Sequence, residues 1–321
     1  MPWQQYGPIF KPDSSRPWSR SHAQVPSALL LGDRIRIYYA TRDELGRSFT
    51  SFIEVDTSDP SKLVYDHPRS VMQLGKPGTH DEDGVMVGCV VRDGDHFRMY
   101  YTGWSKGESV PYRVSCGLAI SHDGGVVFER TFDGPVVDRT RFEPYMTMSP
   151  YVLKEGSLWR MWYGSGLGWA EVDGQREPLY AIKYAESEDG FSWDQPNLLC
   201  IPQLHALEAN TRPSVLRGKN GYEMWFSYRN SVNFRSGAGA YRIGYATSSD
   251  GFNWQRLEEP QGLQPAGSGW NSTMMAYPSV IDLEGRKILF HNGNGFGRTG
   301  LGYAIWKESS DNRDNKTERG Q

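Results

Sequence analysis

The feature that most constrains the fold of this 321-residue chain is a sequence pattern that recurs five times. Each copy has a small residue or proline, an apolar strand, a polar turn that usually contains glycine, and a second strand ending in aromatic residues. The copies span residues 25–43, 87–105, 149–166, 212–230 and 277–294. Aligned on Pro26, Gly88, Pro150, Pro213 and Pro278, each reaches an aromatic residue twelve positions later, namely Tyr38, Tyr100, Trp162, Trp225 and Phe290. This fixed register identifies the copies as repeats of one structural unit.

Most copies continue into a third strand, seen in segments 116–125, 180–193 and 241–254. These segments contain a Ser-x-Asp-Gly turn, in which Asp caps the backbone and Gly supplies a positive φ, so that the chain turns into a fourth, outer strand. Units of several strands that recur about every 60 residues are typical of a β-propeller, whose blades bury their faces against each other. We therefore predict an all-β fold: a five-bladed β-propeller with four-stranded blades and no second domain.

The last copy has strands near 277–283, 286–291 and 300–306, but no sequence for an outer strand follows them. The chain ends instead in a polar segment, residues 307–321, which we expect to be disordered. Residues 1–306 then form the single propeller domain. Trp3–Phe10 has suitable apolar residues for the missing strand, and we predict that this N-terminal strand closes the ring.

Composition and charge narrow the range of partners and locations. The net charge of −3 and the pI near 6.2, without a basic stripe, argue against a nucleic-acid partner. The sequence shows no basic-then-apolar signal segment and no apolar run that could insert into a membrane. The three cysteines, Cys89, Cys116 and Cys200, lie far apart, and their odd number suits reduced thiols, so we expect a cytoplasmic protein.

Polar and aromatic residues gather at one rim of the predicted propeller. Residues just before each first strand and just after each second strand converge on this rim and form a funnel there, and such a mixture suits a carbohydrate ligand. The candidate substrate-binding residues are Arg42, Asp43, Glu82, Asp83, Trp104, Arg212, Tyr228, Arg229, Trp270, Asn271, His291, Asn292 and Asn294. Three of them, Arg42, Arg212 and Arg229, suit bidentate contacts to an anionic sugar or phosphate. Arg212 directly precedes Pro213, so a packing or strand-capping role is an equally natural interpretation.

Acidic residues face the predicted funnel from three consecutive blades: Asp81, Glu143 and Glu208. Glycoside hydrolysis needs two carboxyl groups, one acting as acid and one as base or nucleophile. A third carboxylate can tune the pKa of the acid. His22, His80 and His291 also lie in funnel stretches, but without the spacing of metal ligands. We predict no metal and no cofactor, with a structural cation in the channel as an open alternative.

Propellers with a carboxylate-lined funnel resemble the glycoside hydrolase clan that includes families 32, 43, 62, 117 and 130. The acidic positions of family 43 correspond to Val25, Ser149 and Thr211, and the Asn-Asp-Pro-Asn-Gly motif of family 32 is absent. The sequence more closely resembles a group of five-bladed proteins often described as glycosylases and found with bacterial surface-polysaccharide genes. Motifs that carry this resemblance are HDEDGV (80–85), GWNSTMMAYPSV (269–280) and NGNGFGRTGLGYA (292–304). The chain departs from the group at Asn271 and Ser149, where the group tends to have Asp.

The resemblance and the funnel together predict a glycosidase that acts on a bacterial glycan or an activated-sugar intermediate. In this hypothesis Glu208 is the general acid, Asp81 is the base, and Glu143 orients a sugar hydroxyl or tunes a pKa. Two alternatives stay open: a carbohydrate-binding propeller without chemistry, and a glycoside phosphorylase or transferase that uses the same site.

Overall fold

The computed structural model describes residues 3–257 and 262–307, and nearly all of its regular structure is β-strand. The strands are β1 (Trp3–Phe10), β2 (Ser21–Leu31), β3 (Arg34–Arg42), β4 (Ser48–Asp56), β5 (Leu63–Asp66), β6 (Gly84–Asp93), β7 (His96–Lys106), β8 (Tyr112–Ser121), β9 (Glu129–Arg130) and β10 (Thr147–Glu155). They continue as β11 (Leu158–Val172), β12 (Gln175–Ser187), β13 (Asp194–Ile201), β14 (Glu208–Gly218), β15 (Gly221–Asn230), β16 (Arg242–Ser248), β17 (Gln255–Leu257), β18 (Ala276–Leu283), β19 (Arg286–Asn292) and β20 (Leu301–Trp306). A 3-10 turn spans Gly269–Asn271 and a short helical segment, α1, spans Asn294–Gly297. The tail predicted to be disordered lies, from residue 308 onward, outside the described residues.

The strands form several antiparallel four-stranded sheets, which confirms the all-β prediction. Three sheets have the orders β10-β11-β12-β13, β14-β15-β16-β17 and β1-β20-β19-β18. The remaining eight strands form two four-stranded halves, β2-β3-β4-β5 and β6-β7-β8-β9, joined through one parallel pairing of Ser48 with Gly84. Each half corresponds to one sequence repeat and is called a separate sheet here, so the described residues form five sheets. The strands that open the five sequence repeats, β2, β6, β10, β14 and β18, contact one another in a closed cycle. This arrangement is consistent with a propeller.

Each of these five first strands is irregular at the point where its repeat begins. The pairing register shifts at this position in all five strands. In four of them the residue before the proline has a left-handed backbone: Val25 (φ 48°), Ser149 (φ 54°), Arg212 (φ 54°) and Tyr277 (φ 62°). A bulge of this kind frees a backbone N–H from its own ladder. Side chains of the adjacent sheet accept three of these donors: Asn292 from Val25 (3.2 Å), Thr102 from Ser149 (2.7 Å) and Ser227 from Tyr277 (2.7 Å).

The aromatic residue twelve positions into the repeat connects neighbouring sheets. Tyr38, Tyr100 and Trp162 each donate a hydrogen bond to a glycine carbonyl in or directly after the Ser-x-Asp-Gly turn of the next sheet, at Gly125 (2.7 Å), Gly190 (2.9 Å) and Gly251 (2.6 Å). The turns are built as the sequence predicts, because Asp123, Asp189 and Asp250 accept backbone N–H groups and the three glycines have φ between 74° and 89°. The fixed register of the repeat therefore has a physical cause in the contact between sheets.

Replacing Tyr100 with Phe should destabilise the fold without changing its shape, because the buried carbonyl of Gly190 loses its partner. An unsatisfied buried acceptor costs about 1–3 kcal/mol. Denaturant unfolding of Tyr100→Phe should show this loss, whereas Tyr145→Phe, at an exposed tyrosine, should unfold like the wild type. Equal stability of both variants would mean that the Tyr100 hydroxyl does not hold the turn.

The N-terminal strand β1 pairs with β20 at the other end of the described chain. The pairing runs from Trp3 opposite Trp306 to Phe10 opposite Leu301. The Trp3 ring contacts Trp225 and Trp306 edge-on, with centroid distances of 6.0 and 5.1 Å. A strand from one end of the chain therefore completes a sheet whose other members come from the opposite end.

Deleting residues 1–10 should lower the melting temperature of the whole protein by many degrees, because β20 then becomes an unpaired edge and the Trp3 contacts are lost. A truncation that starts at Trp3 is the matched control and should melt like the full chain. A melting temperature that the longer deletion leaves unchanged would contradict the structural importance of this strand.

Candidate functional site

A cavity of about 730 Å³ opens at the rim where the first strands begin and the second strands end. Its wall includes residues from the starts of β2, β6, β10, β14 and β18: Gln24, Val25, Met86, Val87, Met148, Ser149, Thr211 and Tyr277. From the ends of second strands come Arg42, Thr102, Trp104 and Arg229. The bulges place residues of all five sheets on this one cavity.

Arg212 ties the sheets together beside this cavity. Its guanidinium donates hydrogen bonds to the carbonyls of Val87 (2.9 Å), Val25 (3.1 Å) and Pro26 (2.7 Å), which belong to two other sheets. The side chain is buried, and this burial lowers the pKa of Arg212 to about 10. Since these donors serve the protein itself, Arg212 has a structural role, in line with the packing interpretation of the sequence.

One part of the cavity wall consists of aromatic side chains around Arg229. Arg229 is buried and donates to the hydroxyls of Tyr180 (3.1 Å) and Tyr241 (3.2 Å), and its guanidinium lies 3.9 Å from the centroid of the Phe234 ring. Burial opposes the charge of Arg229, but the two tyrosines outweigh it and raise the pKa. Tyr112, Tyr277, Trp104 and Phe296 complete the aromatic surface.

Trp104 is seated by a close approach to the backbone of the facing strand. It lies opposite Gly84 in the β6–β7 ladder, and a Cβ atom at Gly84 would lie 1.7 Å from the indole Nε1. Only glycine leaves room for the indole at this position. The half-buried ring lines the cavity, so it can offer a face to a sugar.

A long hairpin carries an acidic residue to the cavity wall. Strands β11 and β12 pair as far as Val172 opposite Gln175, and the turn residues Asp173 and Gly174 have φ values of 51° and 73°. Glu177, in β12, is only 3% exposed and forms an ion pair with Arg235, with 3.1 Å between its Oε2 and the arginine Nη2. Arg176 donates to the carbonyl of Ser109, which connects the hairpin to the β7–β8 loop.

Of the sixteen site residues predicted from the sequence, the structure places Arg42, Trp104 and Arg229 on the cavity wall. The three predicted catalytic carboxylates, Asp81, Glu143 and Glu208, are not part of the lining, and each is at most 2% exposed. Their catalytic role stays a prediction, and the structure gives each of them partners within its own sheet.

These three carboxylates occupy equivalent positions in three sheets. Each is followed twenty residues later by a tyrosine, and the hydroxyls of Tyr101 and Tyr163 donate to Asp81 (2.9 Å) and Glu143 (2.9 Å). Each also has a cation, at Arg130 (2.7 Å), Lys183 (3.6 Å) and Arg256 (2.9 Å) respectively. Removing one partner of such a buried pair leaves an uncompensated charge, so replacing the cation beside any of these acids should destabilise the fold.

The other predicted residues make contacts within their loops or between sheets. Asp43 pairs with Arg47, Glu82 accepts the N–H of Gly78, and Asp83 accepts the N–H of Lys106. Tyr228 lies under Arg256, Trp270 stacks on His291, and Asn271 donates to Gln5. Asn292 accepts the N–H of Val25, and Asn294 accepts the N–H groups of Thr273 and Met274. None of these residues lines the cavity.

Sequence reasoning missed the long hairpin and therefore Glu177. The repeat pattern ends one strand at residue 166 and begins the next at residue 180, although Asp173-Gly174 is a strong signal for a two-residue β-hairpin turn. Extending both strands up to that turn brings Gln175–Pro178 to the rim. Tyr112, Tyr180 and Tyr241 carry no comparable signal, because aromatic residues recur throughout the repeats.

The described residues contain no group of three or more His, Cys, Asp and Glu side chains arranged to hold a metal ion. Cys89, Cys116 and Cys200 are buried free thiols. Within the same part of the chain, no helix has the length and apolar character needed to cross a membrane.

Solved structures of glycoside hydrolases share this architecture. A thermostable family-43 glycoside hydrolase matches with a TM-score of 0.63 at 15% identity, covering 90% of this chain and 91% of the other. A second match has a TM-score of 0.66 at 15% identity and covers 95% of this chain and 93% of the other. That structure comes from work on the GH130 family of mannoside phosphorylases, which contains glycoside hydrolases that target β-1,2 mannosidic linkages in Candida mannan. Another glycoside hydrolase matches with a TM-score of 0.69 at 15% identity, covering 94% and 92%. The chain therefore has the propeller fold of these glycoside hydrolases.

No protein-family model matches the sequence. Two proteins of Mycobacterium tuberculosis do match it, "Uncharacterized protein Rv1502" of strain H37Rv and "Uncharacterized protein MT1551" of strain CDC 1551. Each is 37% identical over 307 residues, which cover 95% of this chain and 99% of the relative. The chain belongs to the family of these two mycobacterial proteins.

The buried ring of His291 should make the stability of the fold depend on pH. Burial lowers its pKa to about 4, against 6.5 for a free histidine, so the unfolded chain binds a proton that the folded chain does not. Stability from this group is present above pH 6.5 and is lost as the pH falls toward 4, by roughly 3 kcal/mol at most. His291→Gln should therefore flatten the curve of unfolding free energy against pH between 6.5 and 4.

The matched control is His205→Gln, at an exposed histidine, which should keep the wild-type pH dependence. The readout is the slope and not the absolute stability, since the new side chain can shift the whole curve. Parallel curves for His291→Gln and wild type would show that the ring does not resist protonation.

Proposed function

We propose that the chain is a glycoside hydrolase-like enzyme that acts on a bacterial glycan or an activated sugar in the rim cavity. The observation that carries this proposal is the cavity itself: about 730 Å³ lined by Trp104, several tyrosines, arginines and a buried glutamate, in a propeller fold. A concave site with aromatic faces and a few converging polar groups suits a sugar ring, which stacks through its apolar face and hydrogen bonds through its hydroxyls.

The proposed architecture is one five-bladed propeller over residues 1–306, closed by the N-terminal strand. The closed cycle of contacts among β2, β6, β10, β14 and β18 supports five blades, and the pairing of β1 with β20 supports closure. A cytoplasmic location remains the expectation from the cysteine content.

Two sets of carboxylates compete for the catalytic role. Asp81, Glu143 and Glu208 are predicted from the sequence, but their partners hold them out of the cavity lining. Glu177 and Glu108 are the acidic residues among the described residues of the lining. The contact between Arg176 and Ser109 holds the segment that carries Glu108 beside the hairpin that carries Glu177. We therefore favour Glu177 as the reacting carboxylate and Glu108 as its partner.

Glu177→Gln should lower the rate of glycoside cleavage by about 10²–10⁴-fold while the protein stays folded, because the amide keeps the shape of the carboxylate but not its chemistry. The measurement is release of reducing sugar from a panel of aryl glycosides and bacterial glycans, with melting temperatures recorded in parallel. Asp95→Asn, in the exposed turn between β6 and β7, is the matched control and should keep the full rate.

The same assay separates the competing assignments. A folded Glu208→Gln variant that loses the rate, beside a Glu177→Gln variant that keeps it, would return the role to the carboxylates predicted from the sequence. Cleavage that requires inorganic phosphate would identify a phosphorylase. Calorimetric binding of a glycan without any turnover would identify a carbohydrate-binding propeller.

A further inference from the structure

We propose that the cavity binds a sugar that carries an oxyanion, a phosphate or a carboxylate group, and that Arg42 is the residue that contacts this group. This inference rests on the proposed function only in taking the ligand to be a sugar. It assigns the substrate class from the charges around the cavity.

Several buried or half-buried arginines elsewhere in the molecule have a carboxylate beside the guanidinium. Arg36 pairs with Glu54 at 2.7 Å, Arg98 with Asp93 at 2.7 Å, Arg130 with Asp81 at 2.7 Å and Arg256 with Glu208 at 2.9 Å. Buried charges in proteins are generally paired, because an isolated charge in a low-dielectric interior is strongly unfavourable. At or beside the cavity, the buried or half-buried arginines Arg42, Arg212 and Arg229 have no carboxylate within 4.0 Å among the described residues.

These three arginines differ in what their donors do. Arg212 and Arg229 use theirs on carbonyl and hydroxyl oxygens of the protein, so they add positive charge but offer few free donors. Arg42 lines the cavity, and no hydrogen bond among the described residues uses either its terminal Nη groups or its buried Nε. Arg42 therefore combines an uncancelled charge with Nη donors that the protein leaves unused.

The surroundings of Arg42 are positive as well. Burial lowers its pKa, the nearby Arg298 lowers it further, and the hydroxyls of Tyr277 and Tyr112 act in the opposite direction. The neighbouring His22 has its pKa lowered to about 4 by burial and then by Arg42 and Arg298. Neither carboxylate of the lining cancels this field, because Glu177 is neutralised by Arg235 and Glu108 is exposed to solvent.

The chemistry of the guanidinium selects the kind of ligand. Its planar fork binds two oxygens of a phosphate or a carboxylate at once, which a neutral hydroxyl group cannot match. Tyr112 and Tyr277 line the cavity close enough to Arg42 to interact with its charge. An oxyanion on Arg42 would therefore leave the attached sugar ring against an aromatic surface.

The test measures binding of four probes to the full chain by calorimetry: glucose, glucose 6-phosphate, glucuronate and inorganic phosphate. We expect one or both anionic sugars to bind roughly tenfold to hundredfold more tightly than glucose, the range for a charged hydrogen bond in a protein site. Arg42→Gln should abolish this preference, and it should leave the melting temperature unchanged or higher, because it removes a charge without a partner. Arg92→Gln, at an exposed arginine on the opposite rim, should keep both the preference and the stability.

The two anionic sugars distinguish a phosphate from a carboxylate as the recognised group. Three results would overturn the proposal. Glucose and both anionic sugars could bind with equal affinity, neither anionic sugar could bind, or the preference for anionic sugars could survive in Arg42→Gln. Binding of inorganic phosphate alone would also overturn it, since the oxyanion would then not belong to the sugar. Anion-selective binding without glycoside cleavage would leave this inference standing and remove the proposed function.

Discussion

The hydrogen bonds from Arg212 to two other sheets are the interaction on which the rim cavity depends. Bulges at the start of the first strands turn backbone groups away from their own ladders, and unpaired carbonyls would be unfavourable in the interior. One guanidinium from β14 satisfies the carbonyls of Val25, Pro26 and Val87 in two other sheets. Its pKa of about 10 keeps it protonated at neutral pH despite its burial. The same contact that joins the sheets therefore places a permanent positive charge beside the cavity.

The repeat explains both the stability of the ring and the placement of the acids predicted to be catalytic. Asp81, Glu143 and Glu208 share a position, a tyrosine twenty residues later and a nearby cation, because each sheet needs the same contacts at its rim. Because the same buried acid with its tyrosine and cation recurs in several sheets, we interpret it as a structural feature of the repeat. A reaction centre, in contrast, requires different groups at different places, and in the function we propose the unrepeated hairpin supplies Glu177.

Much of the fold follows from the sequence, and less of the site does. The register of Tyr38, Tyr100 and Trp162 reflects real contacts between sheets, so the strands and turns could be predicted from it. The face of the sheet on which each side chain lies could not be predicted in the same way. Strand residues alternate between the two faces, and a one-residue bulge reverses that alternation. Glu208 and Thr211 show the alternation: both lie in β14 before the register shift between Thr211 and Ser214, but only Thr211 lines the cavity.

The ring of residues before the proline positions shows how this cavity can differ in chemistry from that of a related fold. By resemblance, family 43 has acids at the positions of Val25, Ser149 and Thr211, whereas here none of these residues is charged and the neighbouring Arg212 is a cation. The cavity lining carries four arginines, Arg42, Arg176, Arg229 and Arg235, against two carboxylates, Glu108 and Glu177, so its formal charge is positive. A positive wall favours an anionic ligand over a neutral one, and it also stabilises negative charge that develops on a leaving oxygen. Substrate preference and catalysis would then draw on the same arginines, while the carboxylate comes from outside the repeat.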